Sequence, residues 1–348
     1  MENIKVVIWG FGAMGKGMAD MLLTKKGVEI TGVCDLHPDL VGNSIFNVLE
    51  EAQGTHQDVL VSDNIDALLD NTNCDVVLLC TDSYTKKAFP KMKKILEQGI
   101  NCISTAEEMA YPQAQEPELA KELHAIAKAH NVTLLGTGIN PGFIMDLLVV
   151  ALSGTMSSVE HIEANRVNSL SPFGPAVMEE QGVGITLKEF TDGVADKSLA
   201  GHVGFSESVH MIADALGVKL TKFEQQMKPI VTTVDRKSKY GEALKGNIAG
   251  VNMTGQGFVG NDVFIDMKHP QQIEPELEGT HTGDYINLKG TPNIHMAINP
   301  EIDGGIGTIA MCVNMIPHVL NAKPGLKTMI DLPVPRAILG DMRDLLDE

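Results

Sequence analysis

The run Gly10-Phe11-Gly12-Ala13-Met14-Gly15 stands directly behind the apolar segment 4–9 and directly ahead of a helical pattern. A dinucleotide pyrophosphate needs this order: a tight turn at the first glycine, bare backbone at the second, and a close helix-to-strand approach at the third. It also needs free N–H groups at a helix N-terminus to hold its charge. Met14, Met18, Met21 and Leu22 fall on one helical face, and Gly27 closes the segment before the next apolar run, 28–33. Asp35 follows that run, 20 residues past Gly15, where the fingerprint expects an acid for the adenosine ribose hydroxyls. Gly10, Phe11, Gly12, Ala13, Met14, Gly15 and Asp35 are therefore candidate cofactor-binding residues. A 2′-phosphate would call for Arg or Lys beside Asp35, but Leu36, His37, Pro38 and Asp39 come next, so NAD is expected over NADP. His37 leaves NADP open as a second cofactor.

At 348 residues the chain is long for a single core, and about two domains are expected. A net charge of −18 disfavours nucleic acid and acidic membrane surfaces as partners, and mildly favours a cationic small molecule. The five cysteines, Cys34, Cys74, Cys80, Cys102 and Cys312, sit mostly in apolar runs, with no CxxC pair and no Cys/His cluster at zinc spacing. They read as buried free thiols, with no disulfide and no metal. The first apolar strand begins within four residues, and no apolar run approaches the roughly 20 residues that span a bilayer. A cytoplasmic protein with no membrane partner is the expectation.

After Asp35 strands and helices alternate: strand 59–61, helix 65–69, strand 75–80, helix 86–97, strand 101–104, helix 116–129 and strand 132–135. Repeated βα units predict an α/β fold with an N-terminal Rossmann domain, a doubly wound parallel sheet that binds ligand at the carboxyl ends of its strands. The informative residues lie just past each strand. Thr81 and Ser83 offer hydroxyls to the nicotinamide ribose, or cap the helix that starts near Tyr84. Glu107 and Glu108 follow the next strand. Asn140, in the loop 136–143, either meets the nicotinamide carboxamide or caps the helix 144–152.

From about Ser158 the pattern changes. Segment 159–167 alternates with Ile162, Ala164 and Arg166 on one face, and strand-like pieces recur at 223–234, 249–258, 263–267 and 285–288, with a helix at 206–216. This predicts a second α+β domain built on a mostly antiparallel sheet. The expected boundaries are 1–142 for the dinucleotide-binding domain and 143–305 for a substrate-binding and dimerisation domain. Residues 306–348 form a helix (307–320) and tail that return to the first domain.

The chain resembles the 2,4-diaminopentanoate dehydrogenase family, within the dihydrodipicolinate-reductase-like oxidoreductases and the native amine dehydrogenases. The resemblance rests on the segments 7–15, 104–112, 136–143 and 201–208, on Asn314-Met315-Ile316-Pro317, on Pro324-Gly325-Leu326 and on Asp331-Leu332-Pro333. It implies NAD(P)-dependent oxidation of the C4 amine of 2,4-diaminopentanoate to 2-amino-4-oxopentanoate, with release of ammonia, as a step of ornithine fermentation. It also implies a homodimer through the second domain's sheet. The Pro-Ser-Gly-Thr turn of true dihydrodipicolinate reductases is absent.

Hydride can leave C4 only when its nitrogen is neutral, so a nearby carboxylate must accept an amine proton and then help water attack the imine. Glu108 is the candidate base, with Glu107 the alternative, because one of an adjacent pair points away. Arg166 is a fork suited to the substrate carboxylate, or else a surface ion pair. His202 and Asp146 are further substrate-binding candidates. Two other readings compete: a reductase of a C=N or C=C bond in a small amino-acid-like substrate, and a non-catalytic NAD sensor.

Overall fold

The structure, a computed structural model, describes residues 2–51, 53–70 and 74–347. The chain forms two compact units, Met1–Phe143 with Asp303–Glu348, and Ile144–Ile302.

In the first unit β1 (Ile4–Trp9) enters α1 (Ala13–Leu23), and β2 (Val28–Cys34) follows. The chain continues through α2 (Ile45–Leu49), β3 (Val61–Ser62), α3 (Ile65–Asp70) and β4 (Val76–Leu79). Then come α4 (Thr85–Glu97), β5 (Asn101–Ser104), α5 (Pro117–Ala129) and β6 (Thr133–Gly136). Strands β4 and β6 are buried at every residue, the pattern of parallel strands covered on both faces. On one face Val77, Leu79, Cys102 and Leu134 pack against Ala88, Met92 and Ile95 of α4 and Leu123 and Ala127 of α5. Those helical residues recur at three- and four-residue spacing, so burial of this stripe is what makes both segments helices here.

The second unit runs α6 (Leu147–Ser153), β7 (Ser158–Ser169), α7 (Pro175–Glu180), α8 (Leu187–Asp196) and α9 (Phe205–Ala215). It continues as β8 (Lys222–Val231), β9 (Arg236–Lys237), β10 (Glu242–Ala243), β11 (Ile248–Val259), β12 (Asp262–Gln272), β13 (Gly283–Thr291) and β14 (Ile294–Ile298). Six strands form one sheet in the order β14-β13-β7-β12-β11-β8. Every pair is antiparallel except β7 with β12, so the sheet is mostly antiparallel around one parallel pair. Long excursions explain the exception: the chain leaves β7, builds α7 to α9 and a hairpin, and returns to β7's free edge running in the same direction. Along β7 the buried residues are Ile162, Ala164, Arg166 and Asn168, so the alternation that brings two apolar side chains into the unit also brings in an arginine and an asparagine.

The chain then re-enters the first unit with α10 (Gly304–Asn314), α11 (Ile316–Leu320) and β15 (Gly325–Lys327). The single helix expected over 307–320 is two helices that meet at Met315, where Pro317 removes an N–H from the first turn of α11. Strand β15 pairs parallel with β6 and completes a seven-stranded, all-parallel sheet ordered β15-β6-β5-β4-β1-β2-β3. The order reverses between β4 and β1. A crevice at their carboxyl ends is the place where such sheets hold ligand.

Candidate functional site

Three glycines shape that crevice in three different ways. Gly10 has φ +99°, and a Cβ there would stand 2.7 Å from the Cys80 carbonyl oxygen. Gly15 lies so close to β1 that a Cβ would collide with the Gly10 carbonyl. Gly12, the N-cap of α1, has nothing within 4 Å of where a Cβ would be, and no side chain caps the helix. This leaves bare backbone and unpaired N–H groups facing open space, which fits a pyrophosphate. Phe11 is buried, Gly12 and Ala13 are exposed, and Met14 is half-buried.

Asp35 sits one residue past β2 and ties the two strand ends together. Its Oδ2 accepts a 2.5 Å hydrogen bond from the Phe11 N–H, and its Oδ1 accepts from the His37 N–H at 2.8 Å. The carboxylate is thereby fixed beside the glycine turn, with lone pairs remaining for ribose hydroxyls. Leu36 next to it is 77% exposed and brings no charge that could pair with a 2′-phosphate.

Past β4 the Thr81 hydroxyl donates to Asp82 at 2.6 Å and accepts from Lys91 Nζ at 2.9 Å. It does not cap α4, whose N-cap is Tyr84. As a ribose contact Thr81 would have to exchange those partners. Ser83 contributes its carbonyl, which accepts from the Glu108 N–H at 3.2 Å.

Residues 107–110 form a single 3-10 turn directly after β5. Glu108, 9% exposed, turns its Oε2 to accept from the Thr85 N–H at 2.7 Å, in the first turn of α4. A carboxylate at a helix N-terminus is held there by orphan N–H groups and the helix dipole. Glu107, its neighbour, is half-buried. The next loop approaches closely: a Cβ on Gly136 would lie 2.1 Å from the Met109 carbonyl, and the Thr137 N–H donates to the Ser104 carbonyl at 3.0 Å. Asn140 follows in this loop, half-buried, and is not the N-cap of α6, a position Asp146 takes.

The second unit carries a buried polar cluster of its own. Arg166 is 2% exposed and is no surface ion pair: its NH1 donates to Asp284 Oδ1 at 2.6 Å and its NH2 to the Ile302 carbonyl at 2.5 Å. Burial raises the pKa of the Asp284 carboxyl while Arg166 opposes that rise. The His202 and His269 rings meet edge to face with centroids 4.7 Å apart, and His269 Nε2 lies 2.9 Å from Asn168 Oδ1. Desolvation, with the Arg166 charge behind it, lowers the His202 pKa to about 4. Burial, His202 and Arg166 hold His269 well below its ordinary value. Both imidazoles are held neutral beside a permanent cation.

Asp146, a substrate-binding candidate from the sequence, is held as a helix cap. It is fully buried, its Oδ1 accepts from Leu147 N–H at 2.6 Å as the cap of α6, and its Oδ2 accepts from the Ser208 hydroxyl at 2.8 Å. Its place one residue before a helix already carried that signal. His269, Asn168 and Asp284 escaped the sequence reading. Asn168 was legible as the next inward position after Arg166, whereas Asp284 and His269 reach the cluster only through strand pairing 118 and 101 residues away.

All five cysteines are free, with Cys80 alone only partly buried. Among the described residues no group of three or more His, Cys, Asp or Glu is arranged to hold a metal ion, and no helix is long and apolar enough to cross a membrane.

Residues 4–137 match the family model for an oxidoreductase family with an NAD-binding Rossmann fold, and residues 143–348 match the 2,4-diaminopentanoate dehydrogenase C-terminal domain. The 2,4-diaminopentanoate dehydrogenase of Acetoanaerobium sticklandii is 60% identical over 100% of this chain and 98% of its own length. An amine dehydrogenase of Streptomyces virginiae is 23% identical over 96% of this chain and 98% of its own. The solved structure of the amine dehydrogenase from Mycobacterium smegmatis superposes with a TM-score of 0.87 at 26% identity, covering 97% of this chain and 98% of that one.

Proposed function

We propose, because this chain belongs to the 2,4-diaminopentanoate dehydrogenase family, that it oxidises the C4 amine of 2,4-diaminopentanoate to 2-amino-4-oxopentanoate. The chain is an NAD(P)-dependent dehydrogenase acting on an amine. The observation that carries the substrate assignment is the 60% identity over its full length to a protein of that activity. In the balanced reaction the ammonium substrate, NAD and water give the ketone, NADH, ammonium and a proton. A bound NAD would supply the acceptor for the C4 hydride. Gly10, Gly12 and Gly15 with the first turn of α1 hold its pyrophosphate, and Asp35 its adenosine ribose.

The remaining chemistry falls to side chains. Glu108 accepts the amine proton and then draws a proton from the water that attacks the imine carbon, with Glu107 the alternative base. Its support is position: the carboxylate stands just past β5, at the ligand-binding edge of the sheet, clamped by Thr85 so that one oxygen is fixed and the other remains to work. Asn140 hydrogen-bonds the nicotinamide carboxamide, and Ser83 and Thr81 its ribose. Arg166 receives the substrate carboxylate. A guanidinium has five N–H groups, and two are committed to Asp284 and Ile302. His202, neutral beside Arg166, adds a hydrogen bond without adding charge that would repel the substrate's second ammonium.

The protein works in the cytoplasm as a homodimer that pairs through the second unit's sheet. The acidic surface, with a net charge of −18, favours a cationic amino acid. The test is NAD reduction at alkaline pH over diamino acids and amino acids, with ammonia measured in parallel. Equimolar NADH and ammonia from 2,4-diaminopentanoate support the assignment. NADH formed without ammonia, or from a different amino acid only, overturns it.

A further inference from the structure

Helix α10 meets the dinucleotide fingerprint from outside the segment that the NAD-binding family match covers, which ends at residue 137. It packs along α1, where Gly17 leaves room for Ile309. Its first turn touches two of the places where cofactor-facing backbone emerges from the sheet. A Cβ on Gly305 would lie 3.6 Å from the Met14 methyl, in the first turn of α1 just behind the glycine turn. A Cβ on Gly307 would lie 2.9 Å from Ile139, in the loop after β6, and the Thr308 hydroxyl accepts from the Ile139 N–H at 3.2 Å. In the sheet, β4 and β5 lie between β1 and β6. The turn thus stands beside both the start of α1 and the loop after β6, the two segments that flank the carboxyl ends of β4 and β5 in the sheet order, where such sheets hold ligand.

Successive helical residues are about 100° apart around the axis. Gly305 and Ile309 point to α1, Gly307 and Thr308 to the Ile139 loop, and Ile306 lies in the open sector between those two contacts. It is 69% exposed, a large apolar side chain and the one exposed residue of 304–308. The turn is not an anion site, because Asp303 already caps it, its Oδ1 accepting from the Ile306 N–H at 2.8 Å. A carboxylate there disfavours phosphate and suits the cationic ring of oxidised nicotinamide.

We propose that the first turn of α10, residues 304–308, is a third wall of the dinucleotide site and that Ile306 packs on the nicotinamide half of the cofactor. The proposal rests on the NAD reading above and adds to it a contact from the C-terminal segment. Glycines at 304, 305 and 307 let the turn come close to Met14 and Ile139, and leave Ile306 as its only large side chain.

The chain has one tryptophan, Trp9, one residue before Gly10 at the end of β1, so energy transfer from Trp9 to NADH reports binding without turnover. Ile306→Ser should weaken NADH binding about tenfold, the loss of about 1.4 kcal/mol of contact. Binding of ADP-ribose, which lacks the nicotinamide and is followed by its displacement of NADH in each protein, should stay unchanged. Ile306→Leu should restore most of the NADH affinity. An unchanged NADH affinity in Ile306→Ser overturns the proposal, and so does an equal loss for ADP-ribose, which would locate the effect on the adenosine side or in the helix itself. Failure of the unaltered protein to bind either compound would instead sink the NAD reading, and this inference with it.

Discussion

The Thr85 N–H donates a 2.7 Å hydrogen bond to Glu108 Oε2, joining the first turn of α4 to the 3-10 turn that follows β5. One bond thus sets where the candidate base stands, and it does so through backbone that a substitution at Glu108 does not remove. A glutamine can accept the same bond through its amide oxygen. Glu108→Gln should therefore keep the thermal midpoint and NADH affinity while kcat falls by roughly 10² to 10⁴. Glu108→Ala, which abandons Thr85, should in addition lose about 0.5–2 kcal/mol of stability, as helix N-caps do. Near-normal turnover in Glu108→Gln with a crippled Glu107→Gln would move the role to Glu107, and near-normal turnover in both would leave the mechanism without its base.

Cofactor choice should follow Asp35 and Leu36. The Asp35 carboxylate is fixed by the Phe11 and His37 N–H groups, and Leu36 stands out in solvent beside it. Asp35→Ser with Leu36→Arg exchanges a repulsive charge for an attractive one and should shift the NAD/NADP preference toward NADP by about 1–3 kcal/mol. The ratio of kcat/KM for the two cofactors measures it. No change in that ratio would refute the assignment of Asp35.

Arg166 requires a two-variant test, since it both pairs with Asp284 and is the proposed carboxylate receptor. Arg166→Ala leaves the Asp284 carboxylate buried without its cation and should cost about 3–5 kcal/mol of stability. Arg166→Lys keeps the charge and loses the fork. It should fold, leave NADH affinity unaltered, and raise KM for the diamino acid by about tenfold or more, with much less effect on an amine that lacks the carboxylate. Equal losses on both substrates would assign Arg166 to the fold alone.

The neutral histidines give the second unit an acid-sensitive stability. In the unfolded chain His202 protonates near 6.5, in the folded chain near 4, so between those values the unfolded state binds more protons. Stability present above pH 6.5 should be lost as pH falls toward 4, with a slope of about 1.4 kcal/mol per pH unit from this residue. Urea midpoints measured across that range should fall with acidification, and His202→Gln should make the dependence shallower. An identical pH dependence in the variant would remove His202 from this role.

The glycine spacing, Asp35 at its distance from Gly15, and the periodicities of the elements around them are local properties. Each depends on what one residue does to its own backbone or on which face of one element it occupies, so the strand, glycine turn, helix and following acid were legible in the chain alone. The alternation that put Arg166 on the face of Ile162 and Ala164 was also legible, and burial of that face followed. What Arg166 meets there was not. Asp284 is 118 residues away and comes beside Arg166 because β13 pairs with β7 in a register that no local pattern encodes. The parallel pairing of β7 with β12 brings His269 to Asn168 in the same way. Asp146, a substrate-binding candidate from the sequence, is buried as a helix cap, and the Ser208 hydroxyl of α9 that donates to its second oxygen comes from 62 residues away. The return of α10 to Met14 and Ile139 is likewise a matter of packing between segments more than 160 residues apart in the chain, where small residues allow close approach but do not say to what. Local sequence sets conformation and facing through sterics and hydrophobic period; partners are chosen by the burial of whole faces, which only the assembled chain decides.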